Sequence, residues 1–104
     1  MHRDIKCLNI FLSDRRNIKL GDLGVSKLQP FGCQAQGTRV GTPLYLAPEL
    51  VKAQPYDHKV DLWAIGCALY HLCCLEPPFQ GENLIQLGNM IATKRPKAIP
   101  HVYS

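Results

Sequence analysis

His2-Arg3-Asp4-Ile5-Lys6-Cys7-Leu8-Asn9 is the stretch from which the rest of this chain can be read. Within eight residues it sets an acid, a base and an amide, and the apolar run Ile10-Phe11-Leu12 follows at once. Thirteen residues after Asn9 stands a second acid, Asp22, between Gly21 and Leu23-Gly24. Ile10-Phe11-Leu12 and Ile18-Lys19-Leu20 read as two short strands, with the polar Ser13-Asp14-Arg15-Arg16-Asn17 as the turn of a hairpin. Such a hairpin holds Asn9 at one end and Asp22 at the other, so that both can face one site. A lone Asp, Lys or Asn in a loop ordinarily meets solvent or caps a turn.

Downstream of Asp22 the residues Gly24, Pro30, Gly32, Gly37, Gly41 and Pro43 argue for a long loop, and long loops in small domains are commonly functional. The run Leu62 to Leu75 is apolar nearly all round, the composition of a helix inside a core. It is too short and too interrupted to span a membrane. Asp57 is the expected N-cap and Pro77-Pro78 the stop. Glu82 to Lys94 reads as one amphipathic helix through Leu84, Ile85, Leu87 and Ile91, with Gly88 its weak point.

A chain of 104 residues is one domain at most, with a small core. Its 46% hydrophobic and 19% charged residues fit a globular chain better than a disordered one. The net charge of +4 is scattered, apart from Arg15-Arg16 and Lys94-Arg95, so neither nucleic acid nor a membrane is an expected partner. Cys7, Cys33, Cys67, Cys73 and Cys74 are odd in number and show no C-x-x-C pair or His-Cys metal spacing. Free or buried thiols in a reducing cytosol fit best.

The series His2-Arg3-Asp4, Asn9, Asp22-Leu23-Gly24, Gly41-Thr42-Pro43 and Ala47-Pro48-Glu49 resembles the catalytic loop, metal-binding loop and activation segment of a protein kinase. Asp61-x-Trp63-Ala64-x-Gly66 matches the central helix of the kinase large lobe. Asn9-Ile10-Phe11, Leu20-Gly21-Asp22 and the ending Pro100-x-x-Tyr103-Ser104 are narrower, and resemble the NIMA-related (never-in-mitosis-A) serine/threonine kinases. The resemblance implies an α+β, protein-kinase-like fold: a partial, mainly helical C-lobe whose short hairpin carries the catalytic and metal loops. It implies ATP and magnesium, protein substrates bearing Ser or Thr, and a cytoplasmic setting, with the cytoskeleton or nucleus as alternatives. Oligomeric state stays open.

Residue by residue, the resemblance makes Asp4 the proton acceptor and Lys6 the cation beside the transferring phosphate. Asn9 and Asp22 become the magnesium ligands, and Phe11 lies where the family places a residue beneath adenine, though an ordinary core aromatic is equally consistent. Arg3 would pair with a phosphate on the activation segment, where Thr38 is the candidate acceptor and Ser26 the weaker one. Thr42 would shape the substrate pocket. His2 would pack on Leu23, with Gly24 completing the metal loop, and Asp61 would hold the catalytic-loop backbone. Glu49 would pair with an Arg from a later part of a kinase domain. His71 replaces the Glu that basophilic kinases often carry there, which counts against a preference for basic substrates.

Residues 1–104 thus read as part of a kinase domain, from catalytic loop to the helix after the central one. The small lobe with its Gly-rich loop, and the last helices of the domain, are not among them. The polypeptide by itself is therefore expected to be marginally stable and to transfer phosphate poorly or not at all. The alternative is a non-catalytic kinase remnant that binds or competes. Met1 reads equally well as an internal residue or as a start.

Overall fold

The computed structural model describes residues 1–21 and 43–103. The chain opens with a loop that closes in a single 3-10 turn, Cys7–Asn9, where the Asn9 N–H donates to the Lys6 carbonyl at 2.9 Å. Strands β1 (Ile10–Leu12) and β2 (Ile18–Leu20) then pair antiparallel, with Ile10 opposite Leu20 and Leu12 opposite Ile18. β-branched Ile at both strand starts suits the pleat. The turn is closed by the Arg16 N–H on the Ser13 carbonyl at 2.8 Å, with Arg16 in the left-handed region at φ 58°. Both strands fall where the sequence places them. A two-stranded hairpin is marginal alone, and Leu12 and Ile18 stay largely exposed. Ile10 fastens this one to the core.

Helix α1 (Pro48–Val51) starts on a proline, which has no N–H to leave without a partner. Helix α2 (Lys59–Cys74) is the axis of the described structure. Its expected cap acts from one residue further out than a simple N-cap. The Asp57 carboxylate accepts the Lys59 N–H at 2.9 Å, while His58 between them already has a helical backbone. At the other end Leu75 takes the left-handed conformation at φ 59°, and Pro77-Pro78 follow. Helix α3 (Leu84–Thr93) is shorter than the span from Glu82 to Lys94. Asn83 is its N-cap, accepting the Gln86 N–H at 2.8 Å, and Lys94 is already extended.

Two apolar clusters meet along α2. Ile5, Tyr45, Ala64, Cys67 and Ala68 form the first, with Cys7 and Ile10 packed on it. Phe79, Leu87 and Ile91 form the second, with Val51 and Met90. Leu44 and Trp63 belong to both, and Trp63 stacks on Phe79 with ring centres 5.9 Å apart. The expectation of a helix wholly inside a core needs correcting. Val60, Ala64, Cys67 and Ala68 are buried, but Leu62, Ile65, Leu69 and Leu72 remain 44% to 62% exposed. Hydropathy states which side chains favour burial. It does not state which face finds a cover. Cys7, Cys67, Cys73 and Cys74 are free thiols, and no helix among the described residues is long and apolar enough to cross a membrane.

Candidate active site

Residues 2 to 9 form a loop lying against the start of α2, and its shape follows from where its backbone N–H groups go. The Asp61 carboxylate accepts two of them, from His2 at 2.7 Å and from Arg3 at 2.9 Å. The Asp4 N–H donates to His2 Nδ1 at 3.2 Å, and His2 Nε2 lies 2.9 Å from the Gly21 carbonyl. A backbone N–H can only donate and a carbonyl only accept, so these contacts suit the neutral ring protonated at Nε2. Arg3 sits at φ 71°, a strained backbone for a non-glycine residue. The bonds on either side of it hold it there.

Asp4 is buried, and its carboxylate is shared. Lys6 Nζ lies 3.2 Å from Oδ2, and Asn9 Nδ2 donates to the same oxygen at 3.1 Å and to the Asp4 carbonyl at 2.7 Å. With Nδ2 committed to two acceptors, the orientation of the Asn9 amide is fixed. Its Oδ1 accepts no hydrogen bond among the described residues. The Asn9 carbonyl accepts the Gly21 N–H at 2.8 Å, so the hairpin returns the chain to the loop it left. Acid, base and amide thus occupy one corner, and the oriented Asn9 amide offers an oxygen, a hard donor of the kind that suits magnesium.

A family model of the protein kinase domain matches residues 1–102. The chain belongs to the protein kinase family. Similar kinases include the serine/threonine-protein kinase Nek2 of Mus musculus, 41% identical over all 104 residues and 24% of its own length. The serine/threonine-protein kinase Nek5 of Homo sapiens is 48% identical over 88 residues, which is 84% of this chain and 12% of the relative. The G2-specific protein kinase nimA of Emericella nidulans is 43% identical over the whole chain and 15% of its own length. These relatives are NIMA-related serine/threonine kinases. The chain spans about a quarter of their length or less.

Asp22, Leu23, Gly24, Ser26, Thr38 and Thr42 lie outside the described residues; Gly21, just ahead of Asp22, is bonded to Asn9. Phe11 is 52% exposed and is no core aromatic. Its ring lies across Gly21, where an added Cβ would stand 2.7 Å from Phe11 Cε2. Arg3 has a buried Nη1 without a hydrogen-bond partner among the described residues. Glu49, in the first turn of α1, is half-buried and has no ion-pair partner among them. Sequence reasoning missed Tyr45 altogether. Its hydroxyl lies 3.2 Å from Cys7 Sγ and 2.7 Å from His71 Nδ1, and burial, then the Cys7 thiol, pushes it well above the ordinary tyrosine range. Separations of 38 and 26 residues leave no local signal of such a contact.

Proposed function

We propose that this chain carries the catalytic loop of a serine/threonine protein kinase, which transfers the γ-phosphate of ATP to Ser or Thr hydroxyls of proteins. One observation supports this most: the Asp4 carboxylate, buried and bridged by Lys6 and the Asn9 amide at 3.2 and 3.1 Å. Asp4 accepts the proton of the incoming hydroxyl. Lys6 offsets charge on the transferring group, and by its bond to Asp4 keeps the two aligned. Asn9 and Asp22 would hold magnesium, which when bound neutralises charge on the nucleotide phosphates. Phe11 flanks the adenine, and Thr42 shapes the pocket for the substrate hydroxyl.

Arg3 is the regulatory contact in this reading. A buried guanidinium nitrogen without a partner is costly, and a phosphate on Thr38 offers acceptors for it. In this reading residues 1–104 are part of a large lobe, and a complete nucleotide site needs more than these residues supply. The polypeptide by itself turns over slowly or not at all.

The test is transfer of labelled γ-phosphate by the intact natural gene product to a Ser- and Thr-containing protein such as casein. Asp4→Asn is expected to lower kcat by about a hundredfold or more while nucleotide binding persists. Wild-type turnover by Asp4→Asn would refute the assignment. Brisk turnover by the 104-residue polypeptide alone would refute the claim that it needs further residues.

A further inference from the structure

Asp61 holds the loop at His2 and Arg3, ahead of the reactive residues. A second set of contacts holds it behind them. Cys7, the residue after Lys6, places its Sγ 3.2 Å from the Tyr45 hydroxyl and 3.8 Å from the Ala68 carbonyl on α2. The same hydroxyl reaches His71 Nδ1 on α2 at 2.7 Å. The two rings meet edge to face, with centres 6.1 Å apart at 88°. Tyr45 is buried at 7% exposure and belongs to the 3-10 turn Pro43–Tyr45, so one hydroxyl joins three separate parts of the chain.

A hydroxyl has one proton to give and lone pairs to receive with. Between a thiol and an imidazole it donates to one and accepts from the other; with the Cys7 thiol proton on the Ala68 carbonyl, the hydroxyl donates to Sγ and accepts from His71 Nδ1–H. Burial keeps it neutral, hence a donor, well into alkaline solution. Along α2, Asp61 and His71 are ten residues apart, about 15 Å of helix axis. Asp4 and Lys6 lie in the loop between the two points of attachment. A loop held at one end can pivot, and a displacement of about 1 Å at a reacting group can cost about a hundredfold in rate.

We propose that Tyr45 and His71 are positioning residues for phosphoryl transfer, the Cys7–Tyr45–His71 hydrogen-bond chain being the rear anchor that fixes Asp4 and Lys6 against α2. This rests on the kinase reading above and deepens it. It also gives His71 a task that an apolar residue of similar size cannot perform. A leucine would fill the space and leave the Tyr45 hydroxyl without its partner on α2.

The experiment compares the intact natural gene product with Tyr45→Phe, His71→Leu, the double variant and His71→Asn. The readouts are kcat, nucleotide KM and amide hydrogen exchange at Ile5 to Asn9. Tyr45→Phe and His71→Leu are each expected to lower kcat about tenfold, with nucleotide KM nearly unchanged and exchange faster from Ile5 to Asn9. The double variant should lose no more than either single one, because all three break one chain. Asn can set either its amide oxygen or its NH2 group near the position of Nδ1, so it can serve the Tyr45 hydroxyl in either polarity and His71→Asn should recover most of the rate. Unchanged kcat and exchange in Tyr45→Phe, or equal losses in His71→Asn and His71→Leu, would overturn the proposal. A wild-type product without phosphotransferase activity would overturn the kinase reading instead, and the exchange rates would still decide whether the chain anchors the loop.

Discussion

Asp61→Asn removes one charge and almost no volume, which makes it the cleanest probe of how the loop is held. The carboxylate accepts the His2 N–H at 2.7 Å and the Arg3 N–H at 2.9 Å. Hydrogen bonds to charged groups contribute about 1.5–3 kcal/mol each. Asn keeps one acceptor oxygen and turns an NH2 group toward the other N–H, so one bond is lost and a donor faces a donor. The sites are only partly buried, which places the expected loss at about 2–3 kcal/mol. Asp61 also lies in the first turn of α2, where a negative charge is favourable by about 0.3–1 kcal/mol. That contribution alone cannot account for the larger figure. Native domains have about 5–15 kcal/mol of stability in all, so a loss of this size is readily measured. The assay is urea denaturation with the slope held common, together with amide exchange at His2 and Arg3. A loss under about 0.5 kcal/mol with unchanged exchange at both amides would refute the reasoning.

Two glycines should respond in opposite directions. Gly66 on α2 has open space around an added Cβ among the described residues, so Gly66→Ala is expected to stabilise by about 0.5–1 kcal/mol through helix propensity. At Gly81 the Cβ would meet the Leu87 backbone N at 2.6 Å, so Gly81→Ala is expected to cost about 1–3 kcal/mol; denaturation midpoints check both. Alkaline solution gives a further test. Burial pushes the Cys67 thiol from 9.0 up to about 11, so the unfolded chain releases this proton first. The stabilisation is complete below pH 9 and disappears as pH rises to about 11, on the order of 1–3 kcal/mol. Tyr45 is raised in the same sense, so Cys67→Ala should flatten the stability profile over that interval without abolishing its fall at higher pH.

How far the sequence could be read depended on whether a feature repeats locally. The hairpin strands landed on their expected residues because apolar runs bracketing a polar turn are a local pattern. α3 was legible through its 3.6-residue periodicity, and its start moved only because Asn83 serves as the cap. The 3-10 turns at Cys7–Asn9 and Pro43–Tyr45, and the four-residue α1, are too short to carry a period. The open face of α2 was hidden for another reason. Leu62, Ile65, Leu69 and Leu72 look the same in sequence whether or not something lies over them. At the site, Asp4, Lys6 and Asn9 share one stretch of eight residues and could be found by motif. The Tyr45 bridge could not, since a tyrosine, a cysteine and a histidine far apart in sequence form no spacing rule.

The placement of Asp61 and His71 on one uninterrupted helix makes the intervening residues a measured length. Substitutions there can change chemistry and leave the two ends where they are. Adding or removing a single residue cannot: it shifts the far end by about 1.5 Å and turns it by about 100°. Between these two positions, variation by exchange and variation by insertion or deletion are therefore unequal hazards. Ile65→Val would be a small edit on an open face, whereas loss of any one residue there would unhook the loop from one of its ends.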